Sequence, residues 1–355
     1  IQAVGTLAEL RAFAPQGTAE IHFKEGVLLP GFIDSHSHLS MYAQCRTQFF
    51  CNNDYGTVES LLAAFREHAA AQPDAEWVLG YCYDDTGLAE QRHLTRHDLD
   101  AVCADRPVFV SHITSHMGYG NTLALEKLGV TADLSIEGGK IMIGADGKPE
   151  GLLKENAYFA MFQKIPSCSP EQLPKMIEQA IVDYNRAGFT MFQDGGIGLS
   201  NGPHAILRAY NTLAREARMN ARGYLHFMSN IMDEMLERGT WNLPVSTYLY
   251  YGGVKSFADG SIQSLTAVIG EPYACKPGFC GDHVLTPEQI SDLIVKYHCK
   301  GVPVAFHANG DAAIEFVLQG FEKALKLYPK RVPGDMIIHV QMASDEQLAR
   351  LHACG

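Results

Sequence analysis

Two histidines near the N-terminus have a spacing that suits metal binding. A short apolar segment runs through Asp34 to His36 and His38. On a β-strand, side chains two residues apart point to the same face, so both imidazoles can reach one metal ion. This pair alone is weak evidence, because histidines also occur at this spacing by chance. His307 and His339 end later apolar segments, and open catalytic sites recruit imidazoles from several strands, so the four together predict a metal centre.

A lysine inside another apolar segment offers a second kind of chemistry. Lys255 precedes Asp259 in the run that begins at Gly253. One interpretation is an ion pair with a carboxylate at the rim of the sheet, such as Asp194 or Asp259. The other is that the amine reacts with carbon dioxide, which gives an anionic carbamate able to bridge two metal ions. That reaction requires a desolvated lysine with a lowered pKa. The residues alone leave both interpretations open.

The elements that would position these side chains recur along the chain. Apolar strands that end in polar or glycine residues are predicted to start at Phe189, Ala221, Gly253, Val302 and Asp335. Most intervals are close to the roughly 30 residues of one βα unit. The pattern predicts an α/β fold built on a (β/α)8 TIM-like barrel, with the candidate ligands at the C-terminal rim.

Helix-start signals fill the intervals between these strands. Ser169–Gln172 and Thr286–Gln289 each offer an N-cap residue, a proline at the first helical position and a glutamine that completes a capping box. Gly188 and Gly301 follow these two helices, where a C-cap glycine is expected. Ser344–Gln347 opens a further helix. Six strands can be counted and a closed barrel needs eight, so the chain is expected to be C-terminally truncated, with strands 7 and 8 missing.

The segment from residue 39 to about residue 185 does not fit the repeat. It contains a predicted helix at Thr57–Ala71, strands at Trp77–Tyr83 and Pro107–His112, and a hairpin-like piece around Lys140–Gly151. We expect a large insertion after the first barrel strand that forms a lid or a pocket wall.

Composition narrows the functional class. The 355 residues are 46% hydrophobic and 19% charged, as in ordinary globular proteins, and the formal net charge is -12. A phosphate backbone is therefore not an expected partner. No apolar run approaches the about 18 residues that a membrane span needs. The nine cysteines include no CxxC pair, which favours reduced thiols and a cytoplasmic protein.

Several motifs resemble a known family. Pro30–Leu39 resembles the first-strand signature of the amidohydrolase superfamily, and it is most similar to amidohydrolase family 3, in the branch of the N-substituted formamide deformylases. Gly151–Ala157, Lys255–Ser261, His307–Asp311 and His339–Gln341 resemble the later motifs of that branch, in the same order. The resemblance covers essentially the whole chain. It implies a barrel of the metal-dependent hydrolase type at residues 30–355, and a small β-sandwich domain to which residues 1–29 contribute.

The resemblance also assigns metal ligands. It implies that His36 and His38 bind one divalent ion and that His307 and His339 bind a second, with zinc as the expected metal and one or two ions as the count. Lys255 would be the N6-carboxylated bridge, and Lys255 and His307 are the expected catalytic residues of this chain. Glu155 is a competing bridging ligand, against the alternative of a solvated or salt-bridged residue at a helix start.

The resemblance also implies substrate contacts and a general base. His116 and Asn121 lie in a segment that resembles a substrate-facing family motif, and the alternative for His116 is a loop histidine that packs the insertion. Asp194 is a candidate to line the pocket, with a structural role as the favoured interpretation. His112 and His226 also fall near strand ends, where a structural role is the favoured interpretation. The family places its general-base aspartate on the eighth strand, so that residue is expected beyond Gly355 and is absent from this sequence.

The predicted function is metal-assisted hydrolysis of a C–N bond, in an amide or N-substituted formamide of a small molecule. The alternatives are a metal-dependent isomerase or decarboxylase on the same fold and a catalytically inactive binding homologue, since barrels host many chemistries. The expected partners are a small-molecule substrate and, in a homodimer, a second copy of the chain.

Overall fold

Two sheets organise the larger part of the protein. The computed structural model describes residues 2–51, 53–166, 168–199, 202–241 and 246–355. The chain divides into a small unit, Ile1–Gly31, and a large unit, Phe32–Gly355. The strands are β1 (Phe32–Ser37), β2 (Phe49–Phe50), β3 (Val78–Tyr83), β4 (Val108–His112), β5 (Met117–Gly120), β6 (Gly139–Ile143), β7 (Pro149–Glu155), β8 (Phe189–Ile197), β9 (Arg222–Met228), β10 (Leu249–Phe257), β11 (Val304–Ala308) and β12 (Met336–His339).

Helices separate most of these strands. They are α1 (Leu7–Phe13), α2 (Leu39–Cys45), α3 (Val58–Ala70), α4 (Arg96–Asp100), α5 (Thr122–Leu128), α6 (Asn156–Phe162), α7 (Leu173–Arg186), α8 (Pro203–Arg215), α9 (Ser229–Glu237), α10 (Pro287–His298), α11 (Asp311–Leu327) and α12 (Asp345–Cys354). Short 3-10 turns lie at Asn53–Tyr55 and Asp85–Gly87.

The first sheet is the predicted barrel sheet. Its six strands are all parallel, in the order β1-β8-β9-β10-β11-β12. The sheet curves until its two ends approach each other. Gln193 of β8 reaches to 3.7 Å from the Met336 sulfur of β12, and the rings of His36 and His339 lie 5.4 Å apart. The α/β fold and a nearly closed parallel sheet are therefore confirmed.

The helices between these strands cover the sheet with apolar faces. In α8, Ile206, Ala209, Tyr210 and Leu213 are all buried, and their spacing of three and four residues forms one stripe on the helix. A fully buried Leu or Ile of such a stripe stabilises the fold by about 1.5–3 kcal/mol through apolar burial. These stripes and the strands enclose one large core cluster.

The capping predictions are confirmed at two helices and wrong at a third. Thr286 and Ser344 each form the complete capping box with Gln289 and Gln347. At the third site Gln172 does contact the Ser169 backbone, but α7 begins only at Leu173. Residues 170–172 form turns instead, so the start predicted near residue 170 is about one helical turn too early.

The second sheet belongs to the insertion. Its order is β2-β3-β4-β5-β7-β6, with parallel pairs at β2–β3–β4 and antiparallel pairs elsewhere. The predicted helix, strands and hairpin of this segment are all present. The insertion is shorter than residues 39–185, however, because α2 and α7 pack against each other and against β8 and so belong to the barrel layer.

The small unit contains a helix, α1, although residues 1–29 are predicted to contribute to a β-sandwich. Thr6 caps α1 and forms a reciprocal capping box with Glu9, which satisfies backbone donors of the first turn. Arg11 pairs with Glu20 at 2.6 Å. This local hydrogen bonding outweighs the poor helical periodicity of the segment. The assignment of residues 1–29 to a β-sandwich stays a prediction.

Among the described residues, none of the helices combines the length and apolarity that crossing a bilayer requires.

Candidate metal centre

Four histidines from three strands of the parallel sheet meet at its C-terminal end. The ring centroids of His36 and His38 are 5.1 Å apart, those of His36 and His339 are 5.4 Å apart, and those of His307 and His339 are 4.7 Å apart. Residues about 270–300 positions apart in sequence are thus neighbours. The strand ends bring them together because all six strands of this sheet run in the same direction.

Several buried nitrogens at this position have no hydrogen-bond partner. His36 Nδ1, His38 Nδ1 and Lys255 Nζ are inaccessible to solvent and unpaired among the residues that the structure describes. Burying a polar group without a partner costs roughly 1–3 kcal/mol, so such a group in a native fold requires an explanation. Imidazole nitrogens are the donors that divalent zinc prefers, and here several rings lie within 4.7–5.4 Å of one another. The residues present therefore fit a metal ion.

The protonation states agree with this fit. Burial, followed by the positive charge of Lys255, lowers the pKa of His36 to about 2 and that of His38 to about 3. Burial also lowers the pKa of His307 well below its usual value and that of His339 to about 4. Metal ligands must be deprotonated, and these imidazoles are neutral at physiological pH.

A backbone contact of His307 indicates which of its ring nitrogens is free. His307 Nε2 lies 2.9 Å from the carbonyl oxygen of Gly260. Since a carbonyl can only accept, Nε2 carries the proton in the neutral ring and Nδ1 remains as the nitrogen with a free lone pair. Asn309 donates to the same carbonyl at 2.8 Å and so helps to hold it in place.

Lys255 is almost completely buried, with 1% of its surface exposed. Burial lowers the pKa of its ammonium to about 7. The predicted alternative of an ion pair with Asp194 or Asp259 is wrong. Asp259 accepts instead from the backbone amides of Val268, Asn309 and Gly310, at 2.8–3.0 Å. A desolvated lysine without a carboxylate partner is the state that carbamate formation requires.

Asp194 anchors the segment that follows the first two histidines. One carboxylate oxygen accepts from the Ser40 backbone amide at 3.0 Å and from the Tyr210 hydroxyl at 2.7 Å. The other oxygen, Oδ1, is buried without a partner among the described residues. Burial raises the pKa of this carboxyl. Asp194 therefore has a clear structural role, and Oδ1 is the atom left for a further contact.

His226 is the residue that sequence reasoning underrated. It is completely buried, and both of its ring nitrogens lack a hydrogen-bond partner among the described residues. Burial and the charge of Lys255 lower its pKa to about 3. In the sheet register it lies opposite Gly253, two residues before Lys255 on the neighbouring strand. Its position near the end of a predicted strand was the one sequence signal that it could belong to the site. The sequence could not show that the neighbours of His226 leave both of its ring nitrogens unpaired.

The insertion brings His116 and Glu155 to the same centre. The ring of His116 lies 4.8 Å from that of His307, and its Nδ1 is 2.7 Å from Glu155 Oε2. Glu155 Oε1 accepts from the Thr266 hydroxyl at 2.5 Å. Glu155 is only 2% exposed, so it is not solvated, and its contact with His116 agrees with the other form of the predicted alternative, a salt-bridged residue at a helix start.

Asn121 does not join the centre. Its side-chain oxygen accepts from the backbone amides of Val108 and Ala124, and its amide nitrogen donates to the carbonyls of Cys103 and Arg106. The side chain thus caps α5 and ties it to β4. All of its donors and its oxygen are occupied, which leaves no amide hydrogen for a substrate.

A second cluster has metal-ligand residue types. Ligand atoms of Asp84, Asp85 and His112 lie within 4.8 Å of one another. His112 is already paired on both nitrogens, with Asp85 at 3.1 Å and with Thr114 at 2.9 Å. These hydrogen bonds explain the proximity without an ion, in contrast to the unpaired nitrogens of His36 and His38.

Glycines allow the close packing around the ligands. A Cβ atom at residue 195 would overlap the His36 ring, and one at residue 260 would overlap the side-chain oxygens of Glu155 and Thr266. His339 adopts a φ of 74°, in the left-handed region that non-glycine residues rarely occupy. Backbone strain of this kind costs about 1–3 kcal/mol and concentrates at functional sites.

Comparison with known proteins decides the family. The sequence model of the amidohydrolase family matches residues 20–355. The chain belongs to the amidohydrolase family. YtcJ of Bacillus subtilis (strain 168) is 30% identical over 354 residues, which cover 99% of this chain and 65% of YtcJ. The N-substituted formamide deformylase of Arthrobacter pascens is 27% identical over 340 residues, which cover 91% of this chain and 60% of that protein.

A solved structure supports the fold of this amidohydrolase. An uncharacterized metal-dependent hydrolase from Pyrococcus horikoshii OT3 matches with a TM-score of 0.68 at 24% identity, over 92% of this chain and 61% of that one. At this identity the likeness concerns the fold alone. The chain spans 60–65% of the length of the two curated relatives.

Proposed function

We propose that this amidohydrolase is a metal-dependent hydrolase that cleaves a C–N bond, in an amide or an N-substituted formamide of a small molecule. The observation that carries the proposal is the set of buried, unpaired imidazole nitrogens at the C-terminal end of the parallel sheet. The similarity to a protein named N-substituted formamide deformylase supports the substrate class.

The chain's own residues define which groups would hold the metal. His36 and His38 share one strand face, and His307 and His339 approach from neighbouring strands, so zinc ligated by these four is the proposed cofactor. A divalent ion at this position would supply Lewis acidity, which activates water and polarises a carbonyl group. Burial keeps the imidazoles neutral, so no proton has to leave them before they can ligate.

Lys255 is the proposed bridge after carboxylation. With a pKa lowered to about 7, a large fraction of the amine is neutral and nucleophilic at physiological pH. Its nitrogen attacks the carbon of carbon dioxide, an N–C bond forms, and one proton leaves the nitrogen for solvent. The product is a carbamate anion, so an amine without a hydrogen-bond partner among the described residues becomes an anionic group able to ligate a metal.

His116 and Asp194 are the proposed substrate contacts. His116 is positioned beside His307, where Nε2, the nitrogen that does not face Glu155, can accept a hydrogen bond from an N–H group of the substrate. Asp194 Oδ1 is a buried acceptor without a partner among the described residues. Neither residue needs to ligate metal in this role.

Metal content and turnover test the proposal directly. The purified protein, loaded with zinc, is expected to retain zinc through gel filtration and to release amine from a panel of N-formyl and N-acyl amines. His36→Asn is expected to lower both strongly, whereas His352→Asn, an exposed residue of α12, leaves both unchanged. Zinc retention without turnover on the whole panel would favour a binding homologue. Conversion of a substrate without amine release would favour an isomerase or decarboxylase.

The role of Lys255 has its own test. Lys255→Ala is expected to lose most of its bound zinc and to recover it when acetate or formate is added, because a small carboxylate can occupy the position of the carbamate. Wild-type protein prepared with 13C-bicarbonate is expected to show a carbamate carbon signal in its NMR spectrum. A wild type without this signal, whose zinc retention equals that of the alanine variant, would contradict the bridge.

A further inference from the structure

Glu155 occupies an unusual position at the end of β7. It has a φ of 51° and a ψ of -128°, in a region that side-chain-bearing residues rarely adopt. Its backbone amide donates to the carbonyl of His116 at 2.8 Å, which places the two residues side by side at the end of the β5–β7 pair. A strained conformation persists only where the surrounding structure holds it, and this one aims a carboxylate inward.

Both oxygens of this carboxylate are engaged by side chains. Oε2 lies 2.7 Å from His116 Nδ1, and Oε1 accepts from Thr266 Oγ1. Thr266 in turn contacts the Ser264 hydroxyl, and Ser264 contacts that of Ser261, at 2.8 Å. This chain of hydroxyls fixes the carboxylate from the far side. A Cβ atom at residue 260 would overlap the acceptor Oε1 and Thr266, so the contact depends on a glycine there.

The contact defines which nitrogen of His116 is free. An ionised carboxylate can only accept, so Nδ1 carries a proton and Nε2 is the nitrogen available to another partner. The ring cannot easily swing away. It lies 4.8 Å from the ring of His307, 5.7 Å from that of Phe159 and 5.9 Å from that of Phe257. Glu155 and these three rings therefore hold His116 in one orientation.

We propose that Glu155 is a positioning residue that fixes the orientation and tautomer of His116, and that it is not a bridging metal ligand. The inference rests on the proposed function, because His116 matters only where a substrate is turned over. Each oxygen of Glu155 already has a side-chain partner, His116 for Oε2 and Thr266 for Oε1. The unpaired nitrogens that suit a metal belong to other residues.

Gly260 links the insertion to the barrel sheet through its contacts. The carbonyl of Gly260 accepts from His307 Nε2, while the Cα side of Gly260 leaves room for Glu155. Gly260, which follows β10, therefore lies next to both His307 and the carboxylate that orients His116. Carboxylate–imidazole pairs of this kind fix the tautomer and the orientation of the ring.

The test compares Glu155→Ala, Glu155→Gln, His116→Ala and the double variant Glu155→Ala/His116→Ala. Glu155→Ala is expected to retain wild-type zinc content and KM and to lose kcat by roughly 100-fold, the scale of one positioned acid–base group. Glu155→Gln can still accept from His116 Nδ1 through its amide oxygen, so it should keep a larger share of kcat. The double variant should lose no more kcat than His116→Ala alone, since Glu155 acts through His116.

A spectroscopic readout separates this inference from the proposed function. In protein with 15N-labelled histidine, the ring nitrogens of His116 are expected to show a protonated Nδ1, and Glu155→Ala should change that signal whether or not a substrate is turned over. Asp335→Asn is the matched control. It alters another buried carboxylate–imidazole contact, with His298 at 3.4 Å, near the start of β12 and thus away from the rim. It should leave kcat unchanged.

Each outcome decides the question. A fall in zinc content in both Glu155 variants would make Glu155 a ligand and overturn the proposal. Unchanged kcat in Glu155→Ala, an additive loss in the double variant, or an unchanged His116 signal would also overturn it. If Glu155→Ala does not fold, Glu155→Gln and His116→Ala carry the same comparison. A wild type without zinc or turnover contradicts the proposed function, and the NMR signal alone then tests the contact.

Discussion

Mild acid should destabilise the metal-free protein, because its central histidines are buried and neutral. The pKa values of His36, His38 and His226 are lowered from 6.5 to about 2–3, and that of His307 is lowered well below its usual value. As the pH falls below 6.5, the unfolded chain takes up protons at these imidazoles and the folded chain does not. Their contribution to stability is therefore present above about pH 6.5 and lost as the pH falls towards their folded pKa values.

The magnitude follows from the same shifts. Between pH of about 6.5 and about 5.5, each such histidine lowers the free energy of unfolding by about 1 kcal/mol, so the four together lower it by about 4 kcal/mol. His339 adds less, because its exposed ring is screened by solvent. Asp259 acts in the opposite sense. Burial raises the pKa of Asp259 to about 6, so the folded chain takes up a proton there as the pH falls, while the unfolded chain does not. This protonation offsets roughly 0.7 kcal/mol of the loss of stability.

Denaturant unfolding at the two pH values, in the presence of a chelator, measures the effect. We expect a net fall of about 3–4 kcal/mol, a large part of the 5–15 kcal/mol typical of a folded protein. His226→Asn should reduce the pH dependence by about 1 kcal/mol, because it removes one titrating group. His352→Asn, on the exposed face of α12, should leave it unchanged. A fall below about 1 kcal/mol in the wild type, or an identical slope in His226→Asn, would refute the argument that these rings are buried and neutral.

Three further substitutions test the packing around the centre. Tyr210→Phe removes the 2.7 Å hydrogen bond to the buried carboxylate of Asp194 and should cost about 1–3 kcal/mol in denaturant unfolding; a neutral result would mean that the contact carries no net energy. Gly195→Ala places a Cβ against the His36 ring and should lower zinc content, measured by mass spectrometry, more than it lowers stability. Asn121→Ala removes the cap of α5 and should lower the unfolding free energy by roughly 1–3 kcal/mol without changing KM. A raised KM would instead support the predicted contact between Asn121 and substrate.

Much of the barrel could be predicted because local signals and tertiary structure agree there. Apolar runs that end in polar residues located β8, β9, β11 and β12 within two residues of their starts. The predicted start of β10 at Gly253 is four residues late, because the strand begins at Leu249 and continues through Gly252 and Gly253. Parallel strands then made the convergence of their C-terminal residues a geometric consequence, which the imidazole distances bear out.

The remaining features depend on contacts that no local pattern encodes. Glu155 and Thr266 are 111 residues apart, and nothing in either segment shows that they meet. The sequence could not decide the role of Asn121 either, because an asparagine can serve both as a substrate contact and as a helix cap. His226 was underrated because an imidazole inside a strand is ordinarily satisfied by neighbours, and only the three-dimensional packing shows that this one is not.

The two sheets divide the chemistry of the centre between them. The parallel sheet supplies the imidazoles and the lysine, and its burial sets their charge, so substitutions there should change metal content first. The insertion supplies His116 and Glu155, which contact each other, and the ring of His116 lies beside that of His307. On the roles proposed above, metal affinity and turnover are separable. We expect a change at His116 or Glu155 to lower turnover and keep the metal, and a change at the barrel histidines to lower both.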